Sequence, residues 1–141
     1  MINKKVIIFG VFDGIHEGHK FFINDARKHG NHLVAVVARD NIAKELKGNF
    51  PQHNEEERIK ELLKIEEIDL VLLGDPKIGT YNILKEVKPD AVFLGYDQHS
   101  LSKNLKESIE SGKILPIEII YGEPYKPEIF HSSFLNTNEK N

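Results

Sequence analysis

Residues 9–20 read F-G-V-F-D-G-I-H-E-G-H-K, with His16 and His19 three residues apart and Gly18 between them. Imidazoles at that spacing can do three things. They can hold a metal, donate hydrogen bonds to a phosphate, or ride a tight turn as solvent-facing side chains. If a helix starts at His16, Glu17, Gly18 and His19 form its first turn, whose backbone N–H groups lack intrahelical partners and carry partial positive charge. Such an end attracts anions. One histidine before the helix and one inside its first turn can both donate to a phosphate oxygen. A metal site needs a third and fourth ligand, the chain has no cysteine, and a helix N-terminus repels cations. Phosphate therefore ranks above metal, and both above a bare turn. Gly14 suits a tight or left-handed turn, and the lack of bulk at Gly10 predicts room for a ligand at the backbone.

The elements that must position these residues follow from periodicity. Residues 5–11 (K-V-I-I-F-G-V) and 32–38 (H-L-V-A-V-V-A) are continuous apolar runs, the pattern of strands buried on both faces. Residues 69–74, 90–95 and 114–121 give a third, fourth and fifth strand, the last at an edge because Pro116 lies near its start. Helices are expected over residues 17–29, from Asn54 as N-cap with Glu55, Glu56 and Glu57 in the first turn, over 80–87, and over 101–111. Residues 39–53, with Gly48 and Pro51, read as a loop with one short helix at most. Alternating strands and helices predict an α/β fold: a Rossmann-like, doubly wound five-stranded parallel sheet with helices on both faces. In such sheets the ligand lies beyond the carboxyl ends of the strands. There the sequence places residues 10–19, Arg39 and Asp40, Gly74 and Asp75, and 95–98.

Composition narrows the function classes. A chain of 141 residues predicts a single domain over 1–141, with a polar tail from 122. Net charge of −3 provides no basic field, which disfavours nucleic acid as the partner. The first apolar run is too short for a signal h-region or a membrane span. The absence of cysteine excludes disulfides and thiolate catalysis and fits a reducing compartment. The expectation is a cytoplasmic protein with no membrane partner.

The stretch G-V-F-D-G-I-H-E-G-H resembles the G-x-F-D-x-x-H-x-G-H signature of the cytidylyltransferase-like nucleotidyltransferases. V-A-R-D (37–40), K-E-L-K-G (44–48), E-E-R (56–58), L-L-G-D (72–75), K-P-D (88–90) and L-G-Y-D-Q (94–98) are similar to the archaeal-type FAD synthases. The resemblance implies transfer of AMP from ATP to a phosphate monoester, with FMN as acceptor and pyrophosphate released. It implies that His16, His19, Lys44, Lys47 and Arg58 serve the phosphates as catalytic residues. Gly10, Val11, Phe12, Asp13, Gly18, Gly95, Tyr96, Asp97, Gln98, Ser132 and Ser133 would bind the nucleotide. Mg²⁺ would bridge the phosphates, with Asp13 or Asp97 as outer partners and no dedicated metal ligands. A homodimer is expected, as is common in the family.

The chain departs from the family pattern in three places. Val11 replaces the usual Thr of G-T-F-D, the C-terminal F-H-S-S-F lacks the Thr of I-S-S-T or I-S-T-T, and the C-terminal cysteines of archaeal FAD synthases are absent. Two alternatives stand beside the FAD synthase reading. One is a CTP-dependent enzyme like glycerol-3-phosphate cytidylyltransferase, disfavoured because no Arg follows Arg58. The other is a nucleotide-binding module without turnover, disfavoured by the intact H-x-G-H.

Overall fold

The apolar runs form a parallel sheet in the computed structural model, which describes residues 3–125. Its strands are β1 (Lys5–Gly10), β2 (His32–Val37), β3 (Leu70–Leu73), β4 (Ala91–Leu94) and β5 (Glu118–Tyr121). The spatial order is β3-β2-β1-β4-β5, with every pairing parallel. The α/β sheet expected from the alternation is therefore present. β5 lies at an edge as Pro116 indicated, but it begins at Glu118, beyond the proline that cannot donate to a ladder.

Five helices complete the described residues: α1 (Glu17–Arg27), α2 (Asp40–Lys47), α3 (Glu55–Leu63), α4 (Asn82–Val87) and α5 (His99–Glu110). Two apolar cores lie on opposite faces of the sheet. Val6, Ile8, Leu33, Ala35 and Phe93 meet Ile23 and Ala26 of α1 and Leu62 of α3. Ile7, Val34, Val92 and Leu94 meet Ile83, Leu84 and Val87 of α4 and Leu105 of α5. The alternate residues of each strand thus bury on both sides, which is why the strands read as unbroken apolar runs. Asn54 caps α3 as expected, its side chain accepting the Glu57 N–H at 2.9 Å.

The segment read as a loop with one short helix holds that helix as α2, eight residues long. It buries only Ile42 and Ala43. Gly48, at φ 88°, ends it in the left-handed conformation. No helix among the described residues is long and apolar enough to cross a membrane.

The sheet opens at one place. The β1–β2 ladder runs from Lys5 to Gly10 and the β4–β5 ladder from Ala91 to Leu94. Between them, β1 pairs with β4 only at Val6–Ala91 and Ile7–Val92. The chain order reverses at this junction, so the carboxyl ends of β1 and β4 part where a doubly wound sheet binds its ligand.

Candidate functional site

The histidine loop leaves β1 at that opening. Gly14 has φ 74° with open space around its α-carbon, the left-handed turn expected of it. His16 then takes extended backbone as the N-cap of α1. The Gly18 N–H donates to His16 Nδ1 at 3.1 Å, and the His16 N–H donates to His19 Nδ1 at 3.2 Å. The two histidines cap the helix reciprocally, as Ser and Glu do in a capping box. Their rings stack, with centroids 3.8 Å apart.

This arrangement explains the spacing. A Cβ on Gly18 would lie 2.9 Å from His16 Cε1, so the glycine makes room for the capping ring. It also changes the source of the donors. The cap occupies first-turn N–H groups that the sequence offered to a ligand. Because Nδ1 accepts on both rings, the neutral form of either ring carries its proton on Nε2. His19 is held neutral: burial first, then the charges of His16 and Lys47, push its pKa down to about 4, against weaker opposing effects of the Gly14 backbone and Asp97. A neutral imidazole at a helix N-terminus is an effective N–H donor to a negative oxygen.

The two other motif glycines do different work from that expected. A Cβ on Gly10 would meet the Phe12 ring at 2.8 Å, so the clearance there is filled by Phe12, not reserved for a ligand. Phe12 is buried and adopts φ 55°, a conformation unusual for a bulky residue. Its ring lies 5.8 Å from that of His19 and backs the histidine pair. At Gly95, a Cβ would come within 3.1 Å of Asp97 Oδ1.

Three residues expected to contact the ligand direct their hydrogen bonds to the protein itself. Arg58 is 1% exposed. Its Nε donates to the His53 carbonyl, Nη1 to those of Val11 and Ala38, and Nη2 to Asp40 Oδ1, at 2.7–2.9 Å. The guanidinium binds the ends of β1 and β2 to the starts of α2 and α3, which is the geometry of a positioning residue. Its partner is Asp40, not the neighbouring glutamates. Asp13 accepts the Gln52 and His53 N–H groups at 2.7 and 3.0 Å and the His53 ring at 2.9 Å. Desolvation raises its pKa, but the hydrogen bonds and the His53 charge outweigh it and the net shift is down. With its oxygens so engaged, Asp13 anchors the loop before α3 and is a poor outer partner for a metal. Gln98 Nε2 donates to the Phe9 carbonyl at 3.0 Å, and its Oε1 accepts the Gly95 N–H at 2.9 Å. Its amide thus spans the gap between β1 and β4 where the ladder has ended, and it is not a free nucleotide contact. Val11 enters the network by its carbonyl, so this contact is the same whether Val or Thr stands there.

The two lysines expected to serve phosphates both lie in α2. Lys47 is close enough to His19 to act on its charge, and Lys44 Nζ lies 4.6 Å from the Phe50 ring centroid. Both lysines are exposed, on α2. Tyr96 and Asp97 are exposed at the end of β4, with Asp97 felt electrostatically at His19. Ser132 and Ser133 lie outside the described residues. Sequence reasoning missed Asp40 and His53 as partners of the network; an acid opening α2 and a histidine just before the α3 cap were the available signals.

A hard divalent cation is compatible with this donor set. No three His, Cys, Asp or Glu side chains group as a metal cage among the described residues. A divalent cation held mainly by waters and substrate phosphates would need no such cage.

The sequence matches the cytidylyltransferase-like family over residues 7–136. It is 34% identical over 136 residues to an FAD synthase from Thermococcus sibiricus, covering 94% of this chain and 92% of that protein. An FAD synthase from Aciduliprofundum boonei is 40% identical over 103 residues, 73% of this chain and 68% of that one. Among solved structures, a lipopolysaccharide core biosynthesis protein from Thermoplasma volcanium superposes with a TM-score of 0.79 at 32% identity, over 87% of this chain and 98% of that chain. A pantoate-beta-alanine ligase from Francisella tularensis shares the fold, with a TM-score of 0.58 at 14% identity over 85% of this chain and 59% of that chain.

Proposed function

Because the chain belongs to the cytidylyltransferase-like family, we propose that this nucleotidyltransferase makes FAD, joining AMP from ATP to the phosphate of FMN. A phosphate oxygen of FMN attacks the α-phosphorus of ATP. The bond from that phosphorus to the bridging oxygen breaks, and pyrophosphate leaves with the electron pair. The acceptor monoester is largely dianionic at neutral pH, its second pKa being about 6, and needs no general base. The protein must align two anions and stabilise the charge that develops on the phosphoryl oxygens.

The observation that carries this reading is the stacked, reciprocally capped pair His16–His19, at the opening between β1 and β4. It supplies two preorganised Nε2–H donors without bringing a fixed positive charge at His19. Lys44 and Lys47 supply mobile cations from the β2 side. Gly95, Tyr96 and Asp97, at the end of β4, receive the nucleoside. Ser132 and Ser133 meet the β- and γ-phosphates in this reading, on the strength of the F-H-S-S-F resemblance. A divalent cation, Mg²⁺ by preference, neutralises the phosphates when bound. ATP is preferred over CTP because the FAD synthase relatives span most of the chain. We further read the protein as a cytoplasmic homodimer of single-domain subunits, which size-exclusion chromatography with light scattering checks.

Pyrophosphate release across the four nucleotides, with FMN and glycerol 3-phosphate as acceptors, tests the activity. Release with ATP and FMN supports it. Release only with CTP and glycerol 3-phosphate assigns a cytidylyltransferase instead. Tight nucleotide binding with no release in any combination assigns a module without turnover.

A further inference from the structure

The segment after α2 carries an aromatic ring that neither the cores nor the mechanism uses. Phe50 is 62% exposed. It is tied to the histidine site on both sides in sequence. Three residues before it, Lys47 acts on the charge of His19. Two residues after it, the Gln52 N–H donates to Asp13 at 2.7 Å. Lys44 lies over the ring at 4.6 Å, so a flat apolar surface and a cation form one unit. The segment follows β2. The nucleoside residues Gly95, Tyr96 and Asp97 follow β4, on the other side of the histidine loop.

We propose that Phe50 is the stacking platform for the planar ring of the acceptor, with Lys44 and Lys47 drawing its phosphate toward the histidine pair. The proposal rests on the FAD synthase reading and deepens it by giving the isoalloxazine of FMN a place. Charge and shape both match: FMN is a flat aromatic system joined by a flexible chain to a dianionic phosphate. Stacking on an aromatic side chain tolerates differences in the ring and supplies binding rather than chemistry. Phe50 therefore determines acceptor preference and takes no part in bond making.

The test is initial-rate kinetics with FMN and ATP varied separately, in wild type, Phe50→Leu and Phe50→Tyr. Leucine keeps an apolar side chain and removes the aromatic face. The expected result is a KM for FMN raised about tenfold in F50L, a KM for ATP within about twofold of wild type, and recovery in F50Y. An unchanged KM for FMN in F50L, or an equal rise for both substrates, overturns the proposal. Equilibrium dialysis of FMN against the same proteins separates this proposal from the reading beneath it. If wild type makes no FAD, the activity assignment fails on its own. Weaker FMN binding to F50L then still supports the platform, and equal binding to the two proteins overturns it.

Discussion

Two groups of polar side chains meet at the carboxyl end of β1, and they use their hydrogen bonds in opposite ways. His16 and His19 turn Nδ1 to the backbone of their own helix, and in the proposed reaction they offer Nε2–H to the phosphates. Arg58 and Asp13 turn their polar atoms to the protein itself: three carbonyls and Asp40 for the guanidinium, two N–H groups and the His53 ring for the carboxylate. In the sequence both groups look like parts of one phosphate site. The difference shows that residue type identifies a site's neighbourhood, while the destination of each donor separates chemistry from support.

The sharpest way to break this comparison is at Arg58. Arg58→Ala leaves Asp40 without its partner and three carbonyls without their donor. Stability should fall by about 3–5 kcal/mol, read from urea unfolding; a variant that folds as well as wild type but is inactive would make Arg58 a site residue after all. His19→Ala should cost about 10²–10³ in kcat, near 2.7–4 kcal/mol, with a much smaller stability change. A matching loss in Tm would erase the distinction between the two groups.

Gly18→Ala sharpens the comparison within the histidine pair. The new Cβ displaces the His16 ring, and kcat should fall about 10- to 100-fold. Alanine is the better helix former, so the melting temperature should hold or rise. Steady-state rates beside a thermal melt decide it, since a loss of both would mean that the glycine serves the fold alone.

A further effect is expected on pH dependence. The folded-state pKa of His19 is about 4, below its ordinary value of 6.5. The unfolded state therefore binds a proton that the folded state does not. The stability linked to this group is whole above pH 6.5 and is lost progressively as pH falls toward 4. His19→Asn should flatten that part of the stability profile between pH 7 and 4.5, and NMR of the His19 ring should show no titration near 6.5.

Much of this was legible in the sequence, because buried strands and helix caps are written in local patterns. The five strands, the edge position of β5, the Asn54 cap and the turn at Gly14 all follow from residue types and their spacing. α2 was legible only as one short helix within a loop, because just two of its residues are buried and its start is held by Arg58 through Asp40. The roles of Gly10, Asp13, Gln98 and Arg58 were misread for a related reason. Asp13, Gln98 and Arg58 act on partners distant in sequence, such as Gln98 on the Phe9 carbonyl, and Gly10 clears the Phe12 ring, contacts that no periodicity reports. The helix start at the histidine motif was legible, but the reciprocal cap that orients the two rings appears only in three dimensions.

The central claim is that this chain transfers the AMP moiety of ATP to FMN with the histidine pair as donors. ATP labelled at the α-phosphate, incubated with FMN and a divalent cation, should pass its label into a flavin product at the rate at which pyrophosphate appears. In His19→Ala both rates should fall together by about 10²–10³. Label that never enters the flavin while pyrophosphate accumulates, or transfer at wild-type rate in the variant, would contradict the claim.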